Sequence, residues 1–236
     1  MYPHMKRVLD ITLAATLLIV LAPLFIAISI IVCLDSPGPV FFLQSRVGRG
    51  GRMFRIYKFR TMYTYAPRSV ATAELINSVG CITPLGRALR KSSIDELPQL
   101  INVLRGEMSL IGPRPLVPEE VEIHAVRTML GAYNVRPGIT GWAQVNGRDC
   151  VNVQTKAQLD AYYAQHMSIR LDIKVILYSV LCVITARGIQ EGGGAIEDII
   201  EETPTERPRR YARQNDWFTR YDVESARVYP RNRLNL

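Results

Sequence analysis

Two carboxylates stand side by side at Asp95 and Glu96 in KSSIDELPQL (residues 91–100), behind two serines and ahead of a proline. Adjacent acids of this kind have two uses. They can start a helix: Ser93 with Glu96 three residues on has the form of a capping box, and Asp95 as the cap leaves Pro98 inside the first turn. They can also do chemistry, because an aspartate kept ionised by the positive end of a helix can hold Mg2+ or attack a phosphorus atom. The ten residues alone leave both readings open.

The surroundings favour chemistry. RGEMSLIGPRP (105–115), VPEE (117–120) and VRPGITGWAQVNGR (135–148) follow, rich in glycine, proline and arginine. Such segments are poor core material but suit loops that converge on anionic groups. Elements to position them can be read from the spacing. Leu97, Leu100, Ile101 and Leu104 recur with helical period until Gly106, so a helix is predicted beside the acids. TPLGRALRKSS (83–93) reads as a short helix carrying Arg87, Arg90 and Lys91 toward them. VFFLQSRVGRGGRMFRIYKFRTM (40–62) reads as a β-hairpin around an Arg-Gly-Gly turn. Its Arg46, Arg49, Arg52, Arg55, Lys58 and Arg60 form a basic face for lipid headgroups or a phosphorylated substrate. Residues 64–80 are weakly patterned and read as a loop.

Ile11 to Leu34 is a 24-residue stretch without a charge, long enough as a helix to cross about 30 Å of bilayer hydrocarbon. Its flanks oppose a simple crossing. Lys6 and Arg7 precede it and the basic hairpin follows it, whereas basic flanks prefer one side of the membrane. Pro23, near the midpoint, removes a backbone hydrogen bond. A re-entrant helix broken at Pro23 satisfies both flanks; an ordinary kinked span is the alternative. Either way the larger basic flank places the rest of the chain in the cytoplasm.

The composition agrees with an anionic partner at a membrane. The 236 residues are 48% hydrophobic, with 29 Lys+Arg against 21 Asp+Glu and a net charge of +8. Arginines interleaved with aromatics would also suit nucleic acid. A membrane segment directly before the basic patch points instead to phospholipid or a phosphorylated ligand, and no nucleic acid is expected. Cys33, Cys81, Cys150 and Cys182 show no CxxC spacing, which argues against a zinc site or a disulfide framework.

SPGPVFFLQSRVG, YKFRTM, SSIDELPQLINVLRGEMSLIGPRP and RPGITGWAQVNGR, in this order, resemble the bacterial sugar transferases, the polyprenyl-phosphate glycosyl-1-phosphate transferases, over about residues 5 to 186. The resemblance implies an α+β, mostly helical fold: a re-entrant membrane helix (1–36), a cytoplasm-facing catalytic domain (37–187) and a C-terminal extension (188–236). It implies that a UDP-sugar gives its sugar phosphate to a polyprenyl phosphate at the bacterial inner membrane. Asp95 would be the nucleophile and a Mg2+ ligand, and Glu96 its partner. Arg114, Arg90, Lys58, Arg60 and Arg148 are the candidate phosphate contacts. Where family members often carry an acidic-x-Arg-Ile-Thr run, this chain has GCIT (80–83). The extension, basic and Tyr/Trp-containing, is first a candidate contact for the body or for a second copy, with disorder or a place on the membrane surface as the alternatives. The rival reading is a non-catalytic membrane module that binds anionic lipid or a glycan-assembly partner, with Asp95 as a cap.

Overall fold

The uncharged N-terminal run is helical, and it breaks. In the computed structural model α1 (Tyr2–Val20) and α2 (Ala22–Asp35) are bent by 62° at Leu21. Pro23 causes the bend upstream of itself. Its ring removes the N–H that would bond Ile19 and crowds that carbonyl, while Pro23 fits the first turn of α2, where no N–H is needed. Among the described residues, no single helix is long and apolar enough to cross a membrane; the bent pair passes together by length and composition. Described here are residues 2–66, 81–146 and 152–185, with backbone alone for 183–185. Arg148, most of the expected loop at 64–80 and the whole extension 188–236 lie outside them.

The helix pair is fastened to the rest of the chain along one side. Ala14 is buried with Ile56, Leu100, Val103 and Met108, and Ile28 and Val32 are buried with Phe59 and Leu89. The other side, including Val8, Ile19, Val20, Ile26, Ile30 and Leu34, is exposed. Near the start of α1 a buried polar clasp replaces apolar packing. The Asp172 carboxylate accepts from Lys6 Nζ at 2.7 Å, from Tyr2 at 2.6 Å and from Tyr163 at 2.6 Å.

The hairpin forms around the Arg-Gly-Gly turn as expected: β1 (Phe41–Val47) pairs antiparallel with β2 (Met53–Phe59), from Phe41 opposite Phe59 to Val47 opposite Met53. Its turn needs Gly50 and Gly51, both with positive φ (64° and 76°). Asn102 of α4 (Leu100–Arg105) then treats the open edge of β2 as a strand partner would. Its Oδ1 accepts from the Tyr57 N–H at 3.1 Å and its Nδ2 donates to the Arg55 carbonyl at 2.7 Å. That one buried amide sets the height of α4 against the hairpin.

α3 (Pro84–Lys91) starts at Thr83, whose hydroxyl accepts from the Gly86 N–H at 2.9 Å. Two short strands, β3 (Ser109–Ile111) and β4 (Gly138–Thr140), pair in parallel. They lie so close to the following backbone that a Cβ on Gly138 would come within 2.1 Å of the Gly112 nitrogen. Around them α6 (Trp142–Val145), α7 (Val153–His166) and α8 (Ile169–Thr185) enclose a core of Ile111, Trp142, Leu159, Tyr163 and Val175. α5 (Val121–Leu130) packs through Ile123 on Leu116 and Ala157. The outcome is the expected mostly helical α+β fold with a small hairpin.

The clasp yields a stability test. Asp172→Ala leaves Lys6 buried beside Asp10 alone, 3.6 Å away, and should cost about 3–5 kcal/mol in denaturant unfolding of the solubilised chain. Tyr163→Phe removes the hydroxyl's contacts with Asp172 at 2.6 Å and with the Ile111 carbonyl at 3.1 Å and should cost about 2 kcal/mol. Equal losses in the two variants would contradict Asp172 as the hub.

Candidate active site

Neither cap expected at the acids forms. Ser93 adopts the left-handed conformation (φ 57°) and its side chain caps nothing. Ile94–Gln99 is a 3-10 turn that holds Pro98 and both acids, and α4 starts only at Leu100. Both the Ser93–Glu96 capping box and the Asp95 cap are therefore corrected. The reason lies in where Glu96 is pulled: its carboxylate turns away from the Ser93 backbone toward two cations. The predicted end of the helix holds, with Gly106 at φ 83°.

The two cations arrive from different elements. Glu96 Oε1 accepts from Lys58 Nζ of β2 at 2.7 Å and from Arg114 Nη2 of the GPRP segment at 3.0 Å. Burial works against ionisation of Glu96, yet Arg114 and Lys58 together outweigh it and hold its carboxyl well below the usual range. Asp95 has the opposite character. It is 7% exposed, and among the described residues no hydrogen bond or ion pair reaches its carboxylate. Burial pushes its pKa up; Lys58, Arg90 and Arg114 pull it back, while the neighbouring charge of Glu96 adds to the rise. Burial likewise lowers the Lys58 pKa, against the pull of Glu96.

Lys58, Arg90 and Arg114 thus all act on Asp95, and Arg90 is oriented by its Nε bond to the Thr61 hydroxyl at 2.8 Å. Arg60 is used differently. It is 6% exposed, and its guanidinium donates to the carbonyls of Val32, Ser36 and Pro37 at 3.2, 2.6 and 2.7 Å, closing the end of α2. Among the described residues no group of three or more His, Cys, Asp or Glu side chains is placed to hold a metal.

An acid left free inside a ring of cations, beside an acid that holds the ring, suits the handling of phosphate. Comparison with known proteins agrees. The bacterial sugar transferase family profile matches residues 1–186. The chain belongs to the bacterial sugar transferase family. It is 40% identical over 187 residues to the uncharacterized sugar transferase EpsL of Bacillus subtilis, covering 79% of this chain and 91% of that one. It is 42% identical over 194 residues to an undecaprenyl-phosphate glucose phosphotransferase of Komagataeibacter xylinus, covering 77% of this chain and 36% of that one. A UDP-N-acetylgalactosamine-undecaprenyl-phosphate N-acetylgalactosaminephosphotransferase of Aeromonas hydrophila is 40% identical over 192 residues, covering 79% of this chain and 45% of that one. The chain therefore spans less than half the length of the latter two relatives.

What holds Arg114 in this sugar transferase is a segment without secondary structure. From Pro113 to Val117 every carbonyl is taken by a donor. Pro113 accepts from the Gly138 N–H at 3.0 Å and Leu116 from the Val47 N–H at 3.0 Å. Arg114 accepts from Arg127 Nη1 at 2.9 Å, Pro115 from Arg46 Nη1 at 3.3 Å and Val117 from His124 Nε2 at 2.8 Å. Behind this rail Arg127 and Asp160 form an ion pair with both side chains 1% exposed. His124, donating through Nε2, accepts from the Tyr133 hydroxyl at Nδ1, and burial lowers its pKa, so it is neutral. Sequence reasoning missed Arg127, Asp160 and His124, because a charge inside a helical pattern carries no sign that it is buried.

The sugar transferase can be asked whether this ion pair serves stability or position. Arg127→Met strands a buried Asp160 and should cost about 3–5 kcal/mol. Adding Asp160→Leu should recover most of the melting temperature, since an apolar pair can replace a buried ion pair. The Arg114 carbonyl still lacks its donor, so the double variant should show a lowered kcat at near-normal stability. Full recovery of both would make the pair purely structural.

Proposed function

We propose that this chain transfers a sugar 1-phosphate from a UDP-sugar to undecaprenyl phosphate, releasing UMP, through a covalent intermediate on Asp95. The observation that carries the reading is the contrast between the two acids: Glu96 is held by Lys58 and Arg114, and among the described residues Asp95 has no bonded partner. A nucleophile must be free to leave its resting contacts; a neighbour that fixes the cations must not. Relatives named as undecaprenyl-phosphate phosphotransferases supply the acceptor, and one of those names supplies a UDP-linked donor.

In the first step an Asp95 carboxylate oxygen attacks the phosphorus that carries the sugar. The bond to the uridine-bearing phosphate breaks and UMP leaves. An oxygen of undecaprenyl phosphate then attacks the same phosphorus, and the Asp95 carboxylate is the leaving group. Splitting one displacement between two anions into two steps lets the same cations serve both. Arg114, Lys58 and Arg90 stabilise charge on the transferring phosphate oxygens. Their paired state with Glu96 keeps two of them aimed before substrate arrives.

Mg2+ fits this donor set. One unpartnered carboxylate is what a Mg2+ ion shared with substrate phosphates and waters needs from a protein. When bound by Asp95, it would neutralise charge on the diphosphate. The sugar cannot be carried over from the relatives, whose names specify glucose in one and N-acetylgalactosamine in another.

The bent, outward-apolar pair α1–α2 supports a re-entrant insertion, with both ends on the cytoplasmic face of the bacterial inner membrane. Cysteines placed at Tyr2 and Gln44 in a cysteine-free background should both resist an impermeant thiol reagent in intact cells and both react once the cytoplasmic side is opened. Labelling of the Tyr2 site from outside would establish a crossing instead.

The catalytic reading predicts that Asp95→Asn keeps fold and membrane binding and loses release of UMP from a UDP-sugar with polyprenyl phosphate and Mg2+. In the active chain the acid limb of UMP release should lie above the ordinary aspartate range. Asp95 takes a proton as pH falls through its raised pKa, while Glu96, held low, stays ionised. Near-normal turnover of Asp95→Asn would remove the covalent role.

A further inference from the structure

α8 carries three distinct faces. Asp172, Val175 and Cys182 are buried against the body. Ile169, Ile173, Ile176, Leu177, Val180 and Leu181 are all at least 44% exposed and, at helical spacing, form one apolar stripe. Between these faces runs a third column, Arg170, Lys174 and Tyr178, spaced by four residues. A helix patterned this way lies in a membrane interface, with its apolar stripe among acyl chains and its flanking column at the level of the headgroups.

That column borders a depression. Where α7 turns into α8 a shallow hollow of about 500 Å3 is lined by Tyr162, His166, Met167, Arg170, Leu171 and Lys174, among others. Its lining has three basic side chains and, among the described residues, no carboxylate. Two of the three are preset. His166 stacks on Tyr162 with ring centroids 4.3 Å apart, and Lys174 Nζ lies 5.2 Å from the Trp142 ring centroid and 5.8 Å from that of Tyr178. An ammonium shared between two rings is held in place without losing its charge.

We propose that this hollow is a binding site for the headgroup phosphate of an anionic phospholipid, separate from the catalytic cations. Charge complementarity selects the anionic class, and the adjoining exposed stripe selects a lipid over a soluble anion. Arg170 and Lys174 grip the phosphate oxygens, and the acyl chains run along Ile169 and Ile173. The clasp of Asp172 with Lys6 and Tyr2 links α8 to the start of α1, so a headgroup held here fixes the helix that carries the membrane insertion. The inference rests on the membrane reading above.

The test uses the full chain in nanodiscs and reads the acylation of Lys174 by an uncharged amine reagent, with exposed Lys91 as the internal reference. Replacing part of a phosphatidylcholine bilayer with phosphatidylglycerol should slow Lys174 acylation about tenfold, as expected when a charge-assisted contact covers an amine. Arg170→Gln with His166→Gln should abolish the protection. Equal protection in phosphatidylcholine alone, or persistence of protection in the double variant, overturns the site. Equal protection by inorganic phosphate overturns the lipid in favour of a free anion. Nanodisc incorporation and UMP release in phosphatidylcholine report the membrane and catalytic readings separately. Failure of the lipid titration with both intact removes the headgroup site alone.

Discussion

Glu96, held between Lys58 and Arg114, is the contact on which the other arrangements converge. Each of its two cations comes from an element that must be placed independently: Lys58 from β2 and Arg114 from the GPRP segment. A carboxylate whose Oε1 is shared by two cations at 2.7 and 3.0 Å is restrained from two sides, and the chain next to it is restrained with it. That neighbour is Asp95. Because the turn is 3-10 rather than α-helical, and because Glu96 is drawn to one side, Asp95 is buried among positive charges without being bonded to any of them. A single interaction thus separates two chemically similar acids into an anchor and a free group.

Holding the anchor demands rigidity from a segment that has no regular structure. The rail from Pro113 to Val117 cannot gain it from ladder hydrogen bonds, and two prolines remove donors. Rigidity comes instead from donors contributed by α5, β1 and the start of β4. Buried carbonyls must be satisfied, so the requirement that costs most for a loop is turned into its positioning device. Arg127 is the extreme case, since it is buried with Asp160 and bonds the carbonyl of Arg114, whose guanidinium meets Glu96.

Much of the fold was legible in the sequence, and the reasons differ by element. The hairpin followed from two runs rich in Val, Phe, Ile and Tyr around Arg-Gly-Gly, and α3 from the run TPLGRALRKSS. The helix after the acids was half legible: its end at Gly106 is local chemistry, whereas its start was displaced by a tertiary pull on Glu96 that no local pattern encodes. Pro23 announced a break but not its place, because a proline disturbs the turn before it. Arg114 and Lys58 could be gathered with the acids from the resemblance. Asn102 could not, since an asparagine that replaces a strand partner looks like any polar residue on a short helix.

The basic residues show why a count of positive charges cannot separate structure from binding. Arg7 donates to the carbonyls of Val103 and Leu104, Arg136 to that of Gly106, Arg60 to three at the end of α2, Arg46 to Pro115 and Arg127 to Arg114. Of these five, among the described residues, Arg127 alone also meets a carboxylate. A guanidinium that bonds a neutral carbonyl fixes the backbone and leaves its charge uncompensated, whereas in a salt bridge the carboxylate offsets it. The choice between a structural arginine and one that favours an anionic substrate is therefore a false one here. An arginine such as Arg60, with both Nη groups committed to backbone carbonyls, still adds to the positive potential that favours anionic partners.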